Sequence, residues 1–267
     1  MRITKINPLV WIFHEEVKEP QKIIDFFENN FEWEDWYAFG KMLDIRNVKT
    51  KTFLTIPTEE EWNNTYNYKD LDKEESLILK EITDKFYNTT YAFIKENNIE
   101  LENPTFFPFS IAKYVANPLA RMNFHTDYQQ EKYKIPGDRM YITAVFYLND
   151  NYEGGEISFL ELDENQEILW NETYKPKSGD ILVFSSKHPI YHGVKTVETN
   201  NKYILRTYWH IKEPPTKNWI EGVSEYGEET WREMKEEEAK KIRVQMLAKK
   251  FNNETMYIQY VKVKNNE

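Results

Sequence analysis

The chain contains no cysteine. That excludes disulfides, iron–sulfur clusters, thiolate zinc sites and cysteine nucleophiles together. Any transition metal it holds must be bound through His, Asp or Glu. No apolar run approaches the length of a membrane span. The opening MRITKINPLVWIF lacks the basic start, long apolar stretch and small-residue cleavage site of a secretory signal, so the expected location is cytoplasmic. Excess positive charge is missing too: 35 Lys and Arg stand against 45 Asp and Glu, a net charge of −10. Nucleic acids are gripped mainly by cations on phosphates, so they are disfavoured as partners. Small molecules and neutral or basic peptides fit better, and the acidity also serves solubility. The sequence shows neither an internal repeat nor a low-complexity segment.

What is present is a chain of 267 residues, 40% hydrophobic and 16% aromatic. This length supports one well-buried core with extensions, and the aromatic share offsets the modest apolar content because each ring removes a large area from water. Residues 2–13 read as a strand region. Residues 18–31 have helical spacing, with Ile23, Ile24, Phe26, Phe27 and Phe31 on one face. Residues 73–97 read as a long amphipathic helix through Leu77, Leu79, Ile82, Phe86, Tyr91 and Ile94, ended by Asn97-Asn98. From about residue 106 the pattern changes to short β runs: 106–116, 121–127, 139–148, 155–162, 179–186, 192–198 and 202–211. Turn residues separate them and no helix intervenes, which predicts an antiparallel sandwich or barrel. The expected fold class is α+β: a double-stranded β-helix (jelly-roll) core with supporting N-terminal helices. After Pro214-Pro215, residues 226–251 read as a strongly charged helix with Glu/Lys pairs at four-residue spacing. The expected division is a β barrel with its helical support over 1–213 and a C-terminal helical extension packed on it over 214–267.

The five histidines are His14, His125, His188, His192 and His210. His14 and His210 read as surface or interface residues, and His188 as a loop residue. His125 and Asp127 are two apart on a β run, so both can project to one face while Thr126 points away. By itself such a pair is a weak signal, more often a surface feature than a metal site. His192, on a distant run, could complete two histidines and one carboxylate, the set that leaves open positions on iron(II). Lys202 follows ten residues later at the start of the last run. A lysine buried there needs an anion, and a dicarboxylate would supply one.

Taken together, IAKY, HTD, RMYITAVFYLND, GGEISF, KPKSGDILVF, YHGVKTV and KYILRTYW resemble the 2-oxoglutarate/iron(II) dioxygenases of the prolyl 4-hydroxylase-like type over residues 111–211. The resemblance implies Fe(II) on His125, Asp127 and His192, with 2-oxoglutarate and O2 as cosubstrates and ascorbate as a candidate accessory reductant. It implies Lys202 against the distal carboxylate of 2-oxoglutarate, Tyr147 hydrogen-bonded to that carboxylate, and Tyr114 lining the pocket. Many relatives carry Arg at the position of Lys202, and Arg206 lies on the same strand face. Either cation could be the anchor. Lys202 is preferred because the closing tryptophan then falls nearer its expected place, while Arg would give the better bidentate geometry. The implied activity is hydroxylation of an unactivated C–H bond, in a prolyl or other protein side chain or a small molecule, with succinate and CO2 released. Residues 128–138 would cover the substrate as a lid. The rival readings are a cupin-like metal-binding barrel with other chemistry and a non-catalytic jelly-roll binding protein.

Overall fold

The computed structural model describes residues 2–30, 33–35, 48–52, 73–101, 104–106, 109–116, 120–128, 135–164 and 167–250. In chain order the N-terminal part comprises β1 (Arg2–Asn7), β2 (Val10–His14), α1 (Pro20–Asn30), β3 (Glu34–Asp35), β4 (Val48–Thr52) and α2 (Lys73–Glu96). The barrel follows as β5 (Thr105–Phe106), β6 (Ser110–Tyr114), β7 (Ala120–His125), β8 (Gly137–Tyr147), β9 (Glu153–Gly154), β10 (Ile157–Leu162), β11 (Ile168–Tyr174), β12 (Ile181–Ser185), β13 (Ile190–Thr199) and β14 (Lys202–Glu213). Two helices close the chain, α3 (Lys217–Tyr226) and α4 (Glu228–Lys250).

The strands form two sheets. The larger runs β1-β2-β12-β8-β14-β6-β4-β3 with β5 on β14, and the smaller runs β11-β10-β13-β7 with β9 on β13. Alternation along each strand sets the two faces of the larger sheet. Trp11, Phe13, Ile111, Ala144, Phe146, Ile181, Val183, Leu205 and Trp209 face α1 and α2 and bury Ile23, Phe27, Leu79, Ile82, Phe86 and Phe93. Their sequence neighbours Ile12, Ala112, Val145, Tyr147, Leu182, Phe184 and Ile204 face the smaller sheet, where they meet Ile157, Phe159 and Val194. This is the double-stranded β-helix, with the helices on the outer face of one sheet and the site between the sheets. Each fully buried Phe or Ile contributes about 2 kcal/mol of transfer free energy.

Local rules account for the helix ends. α1 opens on Pro20, whose missing N–H would be unsatisfied there in any case. Asn98 takes φ +50° just beyond α2, and Ile99 N–H returns to Ile94 O at 3.0 Å, so the predicted stop at Asn97-Asn98 is where the helix closes. The buried stripe of α2 is Leu79, Ile82, Phe86 and Phe93, whereas Leu77 and Tyr91 are 56% and 50% exposed. Tyr91 instead stacks on Tyr87, which touches Trp209.

All seven expected β runs contain a strand, and β11 is an addition. Its residues ILWNETY are half-exposed along an edge and lack the apolar alternation that marks the other runs. The charged helix expected over 226–251 is α4, from Glu228 to Lys250, and α3 before it is an addition. Thr216 caps α3 by accepting from Trp219 N at 3.2 Å, and Gly227 at φ +81° separates α3 from α4. Trp231 lies on Gly222, where a Cβ would come within 2.0 Å of the indole. Trp219, Ala239, Val223 and Trp231 close over Ile135, so the helix pair holds the chain just before β8. Of the residues expected to form a lid, 129–134 lie outside those described, as does Phe31, and Gly137 and Asp138 already belong to β8. Among the described residues no helix is long and apolar enough to cross a membrane.

Candidate metal and cosubstrate site

His192 sits in β13, between β10 and β7, and pairs directly with His125 at the end of β7. A step of two residues in β13, from His192 to Val194, opposes a step of three in β7, from His125 to Met122. Such a bulge changes which face a side chain takes. Met122 therefore faces the interior with Val194, Phe124 packs outside with Tyr191, and His125 points inward again. Asp127 reaches the same place from the turn after β7 rather than from the strand itself. The turn is fixed by Tyr128 N donating to Ser186 O at 3.0 Å. Thr143 Oγ1 donates to Asp127 Oδ2 at 2.8 Å and lies 2.6 Å from Ser186 Oγ. Thr143 and Ser186 were not legible as site residues, because one is an ordinary mid-strand hydroxyl of β8 and the other an ordinary hydroxyl just past β12 until the turn packs against them.

The three side chains converge. His125 Nε2 is 3.4 Å from Asp127 Oδ1, and His192 Nε2 is 3.6 Å from Asp127 Oδ2. One ligand atom from each lies within 4.8 Å of the others. A first-row ion about 2.1 Å from each of three ligands at right angles sets them about 3 Å apart, so slight contraction suffices. Burial, then the neighbouring imidazole of His125, lowers the His192 pKa to about 3. Burial by itself would raise the Asp127 carboxyl, but His192, His125 and the Thr143 hydroxyl outweigh it and hold it well below the usual carboxylate range. A neutral imidazole and an ionised carboxylate are the protonation states that metal ligation requires.

Farther along the interior lies Lys202, 0% exposed and paired across strands with Tyr114. Its Nζ donates to Gly155 O at 2.6 Å. The rings of Tyr147, Tyr114 and Tyr152 stand 5.1, 5.2 and 5.6 Å from Nζ. Burial, reinforced by the charge of Lys175, depresses the Lys202 pKa to about 7. Burial also raises the Tyr114 hydroxyl to about 12 and the Tyr147 hydroxyl well above its usual value, so these phenols keep their protons and remain donors. The structure therefore brings Lys202, Tyr147 and Tyr114 into one chamber. Arg206 is on the same face of β14, half-buried, with Nε donating to Ser110 Oγ at 2.8 Å.

The other histidines separate. His14 bridges the β1–β2 hairpin to the turn before β12, with Nδ1 3.3 Å from the buried Asp180. His188 lies edge-on to Tyr191. His210, expected at the surface, is 6% exposed. It packs against Tyr208, and at this position β14 is still paired on both sides, with Thr105 of β5 and Met140 of β8.

The barrel thus carries a His, Asp, His cluster that could hold a metal ion and, farther along the same interior, a wholly buried lysine. The description "2OG-Fe(II) oxygenase superfamily" matches residues 109–210. Human prolyl 3-hydroxylase 2 is 38% identical over 72 residues, covering 27% of this chain and 10% of that protein. The rat protein is 36% identical over the same length. The chain thus spans about a tenth of the length of the curated relatives it matches. Among solved structures, a Trichoplax adhaerens prolyl hydroxylase in complex with a hypoxia-inducible-factor peptide fragment superposes with a TM-score of 0.53 at 15% identity, over 78% of this chain and 85% of that one. The Pseudomonas putida prolyl-4-hydroxylase gives 0.49 at 14% identity, over 74% and 91%. The likeness to that superfamily is carried by residues 109–210, and the likeness to the prolyl hydroxylase structure from Trichoplax adhaerens is one of fold. Fe(II), 2-oxoglutarate and O2 are the cofactor and cosubstrates of that superfamily, and a donor set of two imidazoles and one carboxylate fits the iron.

Proposed function

We propose that the chain hydroxylates an unactivated C–H bond at the expense of 2-oxoglutarate and O2, releasing succinate and CO2. One oxygen atom enters the product and the other enters succinate. His125, Asp127 and His192 hold the iron, and the bound iron supplies the oxygen activation that no side chain can perform. The protein's own part is placement. Thr143 keeps Asp127 aimed at the cluster, and the neutral His192 offers a lone pair without first losing a proton.

The observation that carries this reading is Lys202. A lysine wholly out of water with a backbone carbonyl for its partner is a costly arrangement, and it becomes favourable once a carboxylate enters the chamber. Lys202 is the anchor for the distal carboxylate, with Tyr147 and Tyr114 as donors beside it. Arg206 is engaged with Ser110 and stays a wall residue on the same face. The substrate we favour is a peptidyl proline or another protein side chain, supported by the relatedness over 72 residues to a prolyl 3-hydroxylase.

The test is succinate formation from 2-oxoglutarate with Fe(II), ascorbate and O2, for the native chain, His125→Ala and Lys202→Ala. Native activity lost in both variants is the expected result. Activity retained in Lys202→Ala but lost in Arg206→Ala would move the anchor to Arg206. Neither turnover nor 2-oxoglutarate binding by the iron-loaded native chain would overturn the reading.

A further inference from the structure

Tyr152 lies just beyond β8, in the turn Tyr152–Gly155, and is 3% exposed. Its hydroxyl is buried with no hydrogen-bond partner among the described residues. Its ring is flanked by two ammonium groups, Lys175 Nζ at 4.0 Å and Lys202 Nζ at 5.6 Å. The turn is built to keep it there. Lys175 Nζ donates to Tyr152 O at 2.6 Å and to Gly154 O at 2.9 Å, and Lys202 Nζ donates to Gly155 O. Gly155 N is fixed on Thr196 O at 2.8 Å. Gly154 and Gly155 adopt φ of +67° and +64°; a Cβ on Gly154 would lie 2.1 Å from Thr196 O, and one on Gly155 would lie 3.1 Å from the Tyr152 ring. The bare backbone lets that ring lie flat against the turn.

A phenylalanine would fill the same volume without placing an oxygen where nothing satisfies it. The hydroxyl therefore points to a ligand, and the chemistry around it is that of an anion site. We infer that Tyr152 Oη donates to the distal carboxylate of the 2-oxo diacid that Lys202 neutralises, making Tyr152 a third kind of anchor beside the lysine and the two deeper tyrosines. Lys175 acts through the turn as a positioning residue and touches no ligand. This inference rests on the cosubstrate site proposed above. It adds a residue that neither the motif order nor the strand pattern singles out, since the turn residue before Glu153-Gly154-Gly155 gains its meaning from the lysines that flank it.

The experiment is calorimetric titration of the full chain, loaded with Mn(II) in the absence of oxygen. The ligands are 2-oxoglutarate and 2-oxopentanoate, the five-carbon 2-oxo acid without a distal carboxylate. The native chain should prefer the diacid strongly. Tyr152→Phe should weaken 2-oxoglutarate about tenfold or more, the effect of losing one hydrogen bond to a charged group, and leave 2-oxopentanoate within about twofold. Heat unfolding of the metal-free chain with and without succinate gives a second readout, in which Tyr152→Phe should lose most of the stabilisation. Unchanged 2-oxoglutarate affinity would overturn the inference, as would equal weakening of both acids, which would make Tyr152 a packing residue. A native chain without preference for the diacid would bring down the cosubstrate site itself. Tyr152→Leu serves in the same titrations if the phenylalanine variant does not fold.

Discussion

Two groups of buried ionisable side chains occupy the same interior, and they are balanced differently. In the cluster of His125, Asp127 and His192, the carboxylate faces two imidazoles and a threonine hydroxyl, so its charge is stabilised before any ligand arrives. In the Lys202 chamber, the ammonium faces three rings and a carbonyl, and its charge is penalised. The first group is arranged to receive a cation, and under the function proposed above the second receives an anion. On that proposal iron and a diacid are selected by opposite means: one by a ready donor set, the other by relief of a burial penalty.

The sharpest way to break this contrast is to remove the carboxylate. Asp127→Ala should reduce Mn(II) or Fe(II) affinity at least a hundredfold and abolish iron-dependent 2-oxoglutarate binding, as read by metal titration. Lys202→Met should have the complementary outcome. Its 2-oxoglutarate affinity should fall by about a hundredfold, the loss expected when a charge-assisted contact of about 3 kcal/mol is removed. Its metal affinity should stay near native, and its ligand-free unfolding temperature should rise because a buried amine has become an apolar chain.

A pH series sharpens the same point. The Lys202 pKa is depressed in the folded chain, to about 7, against about 10.4 for an unfolded lysine. Between those values the unfolded chain binds a proton that the folded chain does not. The Lys202 contribution to stability should therefore rise with pH from about 7 to about 10.4, and below about 7 the full penalty is present. Denaturant unfolding of the native chain against Lys202→Met should show this difference in slope, and saturating diacid should reduce it.

Smaller effects test the supports. Thr143→Val removes the hydrogen bond that orients Asp127, and metal affinity should drop about tenfold with the fold intact. Gly222→Ala should cost about 1–3 kcal/mol in denaturant unfolding because its methyl group meets the Trp231 indole.

Much of the fold was legible because its signals are local. Alternation within 139–148 and 202–211 marks strands that remain strands wherever they pack, and Asn97-Asn98 stops α2 through its own backbone preference. β11 was not legible, since an edge strand with half-exposed residues has no buried face to impose alternation. Nor was α3, a short helix that follows Pro214-Pro215 and is set off from α4 by Gly227. The site divides in the same way. His125, Asp127, His192 and Lys202 could be named from residue type, spacing and motif order. Thr143, Ser186 and Tyr152 could not, because each matters through a neighbour distant in sequence.

What the sequence by itself determined is the inventory: a cysteine-free chain in which any transition metal must be taken by His and carboxylate, strands of alternating pattern, and a family-like motif order over residues 111–211. What only the tertiary structure decided is charge balance. The bulge in β7 that turns His125 inward, the turn that seats Asp127 on Thr143 and the closing of three tyrosines around Lys202 all arise from contacts between strands. The energy of a buried charge depends on everything within a few ångströms of it, and that neighbourhood exists only once the sheets have closed.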